Sequence, residues 1–558
     1  MYNRVKKIIP FLIGIIIFIC IYGIQILNPF YDAWLLQGRD LTQHYLGSLF
    51  FRTSSWQFPL GDMNRICYPG EVSVVYTDSI PIVAIIIKLF RGILPLHFQY
   101  FGWWGILCFG LQGYFAARLL SRWIKDDIYV WICCIFYIIS PIFLYRMFMH
   151  TALASEWLIL WSLDLGYCLL TQSWMTDRRH RLLLQSCLMG VLAAGIHIYL
   201  LVMCTIIISL ALLIRLFSRN SAGNRLKVFA AKVAYYISAV GMLGLIGALQ
   251  RDQQMDAGGL TQFSFNLNGF INPMDGWSKL LPTLTAYGEG YNEGLAYMGA
   301  GILLLLVLVA GYQIFHKMKT IVLRKETVKQ KRNLQMTLFF ILIMILCTGI
   351  AMSPVIALNA YYYIRIPYPK KLVSMWGIVR SSGRFIWPVV DILMLLGMTG
   401  LWKILAQKRR NISRLVIMFL LLLQVYDLSG KLLTIKADYA TKAAYASLED
   451  TNTICRKIAA CGKYNHIVFT SDVTENQGLL YSVSEFAVCN HMTINMFYFA
   501  HNASMGDVND NLETTPSHLT ADTVYVFMDR DASELMKKYT SLNYYRIDGG
   551  YIGVMQGM

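Results

Sequence analysis

Charge is scarce in this chain, and acidic charge scarcest. Only 15% of the 558 residues are Asp, Glu, Lys or Arg, where a soluble protein carries about 25%. Thirty-two acidic residues face 49 basic ones, a formal net charge of +17. So few charges cannot solvate the surface of one large soluble enzyme. Other absences narrow the chemistry. No HExxH, GxSxG, P-loop or dinucleotide-binding glycine fingerprint stands in a usable context. No CxxC pair occurs, which removes the common cysteine metal and redox motifs. No small-x-small cleavage site follows the first apolar stretch, which therefore reads as an uncleaved span rather than a signal peptide. There is no repeat of fixed period and no low-complexity tract.

What is present is hydrophobic. Apolar residues make up 56% of the chain, and the mean hydropathy is +0.49. Apolar runs of about 20 residues recur, the length that crosses a hydrocarbon core of about 30 Å. Spans are predicted at 8–27, 98–120, 128–147, 151–171, 182–197, 198–217, 233–250, 295–315, 334–357, 385–405 and 415–430. Segment 76–96 is apolar too, but Asp78, Pro81, Lys88, Arg91 and Pro95 interrupt it, and its unbroken apolar core, Ile80 to Ile87, is too short to cross. If it does not cross, Arg4/Lys6/Lys7, Arg118/Arg122/Lys125, Arg178/Arg179/Arg181, Arg219/Arg225/Lys227/Lys232, the run Lys317 to Arg332 and Lys408/Arg409/Arg410/Arg414 all fall on one side. That is the positive-inside pattern. The segment therefore reads as an amphipathic helix on the outer face. Basic residues placed in this way are topology and lipid signals, and no nucleic-acid partner is expected.

The predicted fold is an all-α polytopic membrane protein of about eleven transmembrane helices with a small C-terminal extracytoplasmic α/β domain. The N-terminus lies inside and the C-terminus outside. Residues 1–430 form the transmembrane domain, with outer loops 28–97, 251–294 and 358–384, and residues 431–558 form the outer domain. Strand-like "HIVFT" (466–470) and "TVYVFM" (523–528) mark its sheet. Eight of the twelve cysteines lie inside apolar runs and read as small apolar side chains; Cys455, Cys461 and Cys489 lie in the tail, where one disulfide is possible. The one DxD, in "MDRDAS", is also in the tail and reads as a helix start capped by Asp531.

Several ionisable residues stand at the outer ends of the spans. "GRDLTQHYLG" puts Asp40 and His44 one helical turn apart on a short interfacial helix. Asp40 either caps that helix or serves a site. Asp78, in "YTDSIP", has the same two readings. Arg380 and Arg384, four apart before the tenth span, either anchor the interface or grip a phosphate with paired donors. Arg365, Lys370 and Lys371 share their loop. His150 and Glu156 sit between the third and fourth spans, and His197 at the tight outer turn between the fifth and sixth. Glu289 and Glu293 flank a glycine-rich loop that is either solvated or able to contact substrate.

The order of "GRDLTQHYLGSLFFRTSSWQFPLG", "YTDSIP", "FQYFGWW", "HTALASEWLIL", "NEGLAYMGAGILLLL", "RSSGRFIWP" and "LLLQVYDLS" across residues 38–430 resembles the GT-C superfamily of membrane glycosyltransferases, which use polyprenyl-phosphate-linked sugars. It is most similar to a bacterial group of GT-C-like membrane proteins of undefined function. The resemblance implies a multi-pass protein of the bacterial cytoplasmic membrane that transfers a sugar, outside the cell, from a polyprenyl-phosphate donor to a glycan, lipid or protein acceptor. It implies Asp40 as the general base or acceptor-orienting group, and His44 and Asp78 beside it complete the candidate catalytic group. Arg380, Arg384, His150, Glu156 and Glu293 are then the expected substrate contacts. A divalent cation, Mg²⁺ or Mn²⁺, has Asp40 and Asp78 as its candidate ligands. Two rivals are a transporter or flippase of lipid-linked glycans and a non-enzymatic envelope assembly protein. A transporter tends to carry midplane ionisable groups and repeats; here Asp164 and Asp391 are the main such residues.

Overall fold

The computed structural model describes residues 2–172, 177–218, 225–249, 262–288, 290–322, 334–405, 409–443, 445–499, 519–530 and 532–556. Its first helices are α1 (Tyr2–Tyr22), α2 (Arg39–Thr53), α3 (Pro81–Leu89), α4 (Phe101–Leu120), α5 (Asp127–Ile138), α6 (Pro141–Arg146) and α7 (Trp157–Thr171). Then come α8 (Asp177–Ile196), α9 (Ile198–Phe217), α10 (Arg225–Leu245), α11 (Ala300–Val322), α12 (Leu334–Ala351), α13 (Lys370–Trp376), α14 (Trp387–Leu405) and α15 (Arg410–Asp438). Among the described residues, six apolar segments are long enough to cross a membrane: Ile198–Phe217, Arg225–Leu245, Ala300–Met318, Leu334–Ala351, Ser382–Leu405 and Arg410–Asp438. Shorter apolar helices lie at Ile8–Tyr22, Asp127–Ile138, Trp157–Thr171 and His180–Ile196. Ile237 and Val240 of α10, Ile314 and Phe315 of α11, Ile341 and Ile345 of α12, and Phe419 and Leu422 of α15 all face outward. Such an apolar exterior suits hydrocarbon, not water.

Two predicted spans are interrupted where the outer site lies. The third breaks at Ser140 because Pro141 lacks an N–H and its ring clashes with the preceding turn, so α5 ends and α6 starts afresh with Pro at its first position. The fourth becomes helical only at Trp157. The turns between them carry His150 and Thr151.

Two carboxylates inside the bundle are ion-paired. Asp164 receives Arg118 Nε and Arg122 Nε, each at 2.6 Å. Asp126 caps α5, accepting from the Tyr129 N–H at 2.9 Å, and pairs with Arg414 at 2.6 Å. Buried carboxylates persist only with such partners.

The outer loops hold short hairpins, β1 (Asp62–Met63) with β2 (Val72–Ser73) and β3 (Val355–Leu358) with β4 (Tyr361–Arg365). Segment 76–96 contains the nine-residue α3. It buries Lys88, whose Nζ donates to the Ser55 carbonyl at 3.1 Å and lies 4.0 Å from the centre of the Phe51 ring, and exposes Ile86 and Leu89.

After α15 come α16 (Leu448–Thr451), α17 (Thr453–Cys461), β5 (His466–Phe469), α18 (Gln477–Cys489), β6 (Thr493–Ile494), β7 (Thr523–Met528), α19 (Ala532–Lys538), β8 (Leu542–Ile547) and β9 (Gly550–Met555). The five strands form one mixed sheet in the order β6-β5-β7-β9-β8. The two segments read as strands from sequence are β5 and β7, both internal, and all six residues of β7 are buried. All twelve cysteines are free thiols, so no disulfide joins Cys455, Cys461 and Cys489. Asp531 lies outside the described residues.

This domain rests on the first long loop, residues 28–97. The Ile494 N–H donates to the Arg65 carbonyl and the Tyr68 N–H to the Ile494 carbonyl, both at 2.9 Å, and Tyr68 stacks on His466 with ring centres 4.0 Å apart. Helix α18 packs on α2. Helix α2 is therefore covered on most sides. Tyr45, Leu46, Leu49, Phe50 and Phe51 point round the whole helix and are all buried, because the C-terminal domain covers the side that water or headgroups would otherwise meet.

Candidate functional site

A cavity of about 390 Å³ lies among the first long loop (28–97), the turn between α8 and α9, and the turn before α14. Asp40, His44, Asp78, His150, Glu293, Arg380 and Arg384, all singled out from sequence, line it together with His197. Leu243, Ile246, Leu249 and Ile198 are apolar members of the same lining.

Two carboxylates come from the first outer loop. Asp40 stands in the first turn of α2, whose N-cap is Gly38 at φ 86°, a left-handed value that glycine tolerates. The aspartate is not the cap; its Oδ2 lies 3.8 Å from His150 Nε2. Asp78 does not cap α3 either, since Ile80 precedes Pro81 there. Gly47 of α2 allows this placement: a Cβ on it would lie 2.4 Å from that of Thr77, so only glycine lets the 74–77 turn press on the helix. Ser79 Oγ then donates to the His44 carbonyl at 2.7 Å. Asp78 consequently faces His44 Nε2 at 3.4 Å and His197 Nε2 at 3.7 Å. The His44 imidazole, one turn on from Asp40, thus faces Asp78.

The second feature is an ion cluster. Glu293 accepts from Arg384 Nε at 2.6 Å and from Arg146 Nη2 at 2.9 Å. The glycines of "NEG" and "SSGRF" bring these segments together. A Cβ on Gly383 would stand 2.7 Å from the Phe263 carbonyl oxygen and 2.8 Å from Gly294 Cα. Arg384 also lies over the Tyr199 ring at 4.6 Å, and the Tyr199 hydroxyl accepts from the Ser381 N–H at 2.7 Å. Arg380 lies 5.5 Å from the Phe263 ring centre, at the cavity wall.

Burial raises Asp78 from 3.8 to about 7, with Arg384 and Arg146 opposing and Asp40 adding to the rise. Burial lowers His44 to about 3, so its imidazole is neutral. Burial also drives His150 well below its usual range, with Arg384 contributing. For Glu293 burial acts upward, but Arg146 and Arg384 outweigh it and hold the carboxylate well below its usual range.

Glu156 is a correction. It is absent from the cavity lining; its side chain is buried in the bundle, Oε2 accepting from Gln112 Nε2 at 3.4 Å. The expected helical span began at 151, but the turns to Ser155 rotate Glu156 inward. Arg365, Lys370 and Lys371 are exposed and do not line the cavity. Glu289 lies outside the described residues. The two candidate cation ligands, Asp40 and Asp78, each face an imidazole, His150 and His44 respectively. Among the described residues, no three donor atoms of these groups and their imidazoles lie within 4.8 Å of one another. Arg146, Tyr199 and Tyr498 were missed. Arg146 had a signal, being a charge inside an apolar run; Tyr498, which the C-terminal domain brings to the cavity, had none.

The fold is similar to that of the archaeal oligosaccharyltransferase AglB from Archaeoglobus fulgidus, solved in complex with an inhibitory peptide and a dolichol-phosphate. The match has a TM-score of 0.50 at 12% identity, over 100% of this chain and 75% of that one. The A. fulgidus oligosaccharyltransferase in its apo form gives a TM-score of 0.45 at 12% identity, over 98% and 74%. At this identity the likeness is one of fold. A search of curated protein sequences gives no match. Residues 11–429 match the model of DUF6311, a domain of unknown function, and residues 456–555 match the DUF6311 C-terminal domain. The chain is therefore a member of the DUF6311 family.

Proposed function

We propose that this protein is a GT-C-type glycosyltransferase. It moves a sugar from a polyprenyl-phosphate donor to a surface glycan, lipid or protein acceptor at the outer face of the bacterial cytoplasmic membrane. The observation that carries this reading is one cavity lined by three kinds of group: carboxylates of the first loop, arginines and apolar side chains. Each suits one part of the reaction. The apolar side chains take the lipid chain. Arg380 and Arg384 take the phosphate, whose charge grows as the sugar–oxygen bond breaks. Asp40 takes the acceptor hydroxyl proton as the new glycosidic bond forms, with neutral His150 beside it. His44 and His197 hold Asp78 in the same lining. The fold shared with an oligosaccharyltransferase whose structure contains dolichol-phosphate supports the lipid donor. In this reading the chain crosses the membrane eleven times, and the 431–558 domain lies outside.

The test is native mass spectrometry of the purified protein, followed by transfer assays with lipid-linked sugars. A co-purified polyprenyl-phosphate species is expected. Arg380→Ala should lower its retention about ten- to a hundredfold, the loss of one charge-assisted contact. A protein that binds no such lipid would overturn the reading. One that retains the lipid-linked glycan but transfers it to no class of acceptor would favour a carrier.

A further inference from the structure

A second cavity, of about 470 Å³, lies where the C-terminal domain meets the first outer loop. Asp32 and His97 reach it from the loop, Glu485 and Cys489 from α18. The last two are four residues apart and so project from one helical face. Cys489 Sγ is 3.3 Å from Glu485 Oε1 and 3.8 Å from His97 Nε2. One ligand atom from each of the three lies within 4.8 Å of the others, and no other group of three His, Cys, Asp or Glu among the described residues does so.

Two further observations point to a ligand. Glu485 is 4% exposed, yet its Oε2 is buried with no hydrogen-bond partner. A buried carboxylate oxygen left unfilled is costly unless something occupies it. His97 Nδ1 is 2.9 Å from Asp32 Oδ2, which also accepts from the Tyr45 hydroxyl at 2.8 Å. A carboxylate accepting at Nδ1 leaves the lone pair on Nε2, the nitrogen that faces Cys489. This is the carboxylate–histidine arrangement that orients metal ligands.

We infer that His97, Glu485 and Cys489 form a binding site for a late first-row divalent ion, with Zn²⁺ the best fit, that clasps the C-terminal domain to the first outer loop. One nitrogen, one sulfur and one oxygen donor leave a fourth, tetrahedral position for water. The thiolate disfavours Mg²⁺ and Ca²⁺. Binding displaces the thiol proton to solvent. The clasp bears on the first cavity because the chain leaving Cys489 runs to Tyr498, which lines it.

The test uses the purified full-length protein, stripped with a chelator and titrated with Co²⁺. One equivalent should produce tetrahedral ligand-field bands and a thiolate-to-cobalt absorption, and Zn²⁺ should abolish both. Cys489→Ser should remove the thiolate band, Glu485→Gln should weaken binding at least tenfold, and Asp32→Asn should weaken it about ten- to a hundredfold. Cys461→Ser, at an exposed thiol on α17, should leave the titration unchanged. Thermal midpoints without metal verify that each near-isosteric variant folds. No thiolate band in the parent protein, or the same band in Cys489→Ser, would overturn the site; the cluster would then be an imidazole–carboxylate pairing only.

Discussion

Asp40 and Asp78 share a cavity but differ in environment, and their substitutions should differ accordingly. Asp40 is the more exposed, with 35% of its side chain accessible against 16% for Asp78. It caps no helix, so Asp40→Asn removes only a charge. The expected result is an unchanged thermal midpoint with transfer reduced at least a hundredfold, within the ~10²–10⁴ range of general-base catalysis. Near-normal transfer by the purified variant would remove Asp40 from catalysis. Asp78 supplies the pH dependence. Burial raises it from 3.8 to about 7, so the folded protein holds its proton where the unfolded chain has lost it. Stability from this group is full below about 3.8 and falls as pH rises to about 7. The same ionisation adds negative charge near the proposed phosphate site. Donor affinity should therefore drop as pH passes through about 7, and Asp78→Asn should flatten both profiles. Thermal melts and lipid-binding titrations at a series of pH values check this. A pH profile unchanged by the substitution would assign the titration to another group.

Among the local elements, the outer site depends on one tight approach. The turn before α14 presses Gly383 against Phe263 and Gly294, and that contact puts Arg384 on Glu293. Gly383→Ala must move backbone rather than a flexible side chain, and overpacking of this kind costs about 1–3 kcal/mol. The variant should melt lower and bind donor less well, whereas Gly349→Ala on α12, where a Cβ meets nothing within 4 Å, should do neither. Equal donor binding in both variants would show that the approach does not set the arginine. The interior pair Asp164 with Arg118 and Arg122 belongs to this scale too. It gives Asp164 a structural role, so this carboxylate offers no support to the transporter reading.

For the whole molecule, the open question is which side each loop occupies. Reporters fused after Gly430 and after Met558 should read as extracytoplasmic, and one inserted between Lys317 and Arg332 as cytoplasmic. A cytoplasmic reading after Gly430 would overturn the assignment of the cavity to the outer face. The docked domain also shapes the first long loop. Its sheet, α18 and the segment to Tyr498 all bear on that loop, so deleting 431–558 would uncover α2 as well as remove a domain.

The sequence by itself determined the class of environment, because long apolar runs and few charges are stable only against hydrocarbon. It also identified most of the cavity's titratable residues, since an ionisable group at the end of an apolar span has few bland uses. It could not decide partners. His44 turns to Asp78 because Gly47 admits the 74–77 turn, and Glu156 is lost to the bundle because the chain turns before Trp157. Arg146 joins Glu293 across 147 positions of sequence, and Tyr498 reaches the cavity from another domain. Helical spacing carries information over three or four residues; contacts at these separations exist only once the helices and the outer domain have packed.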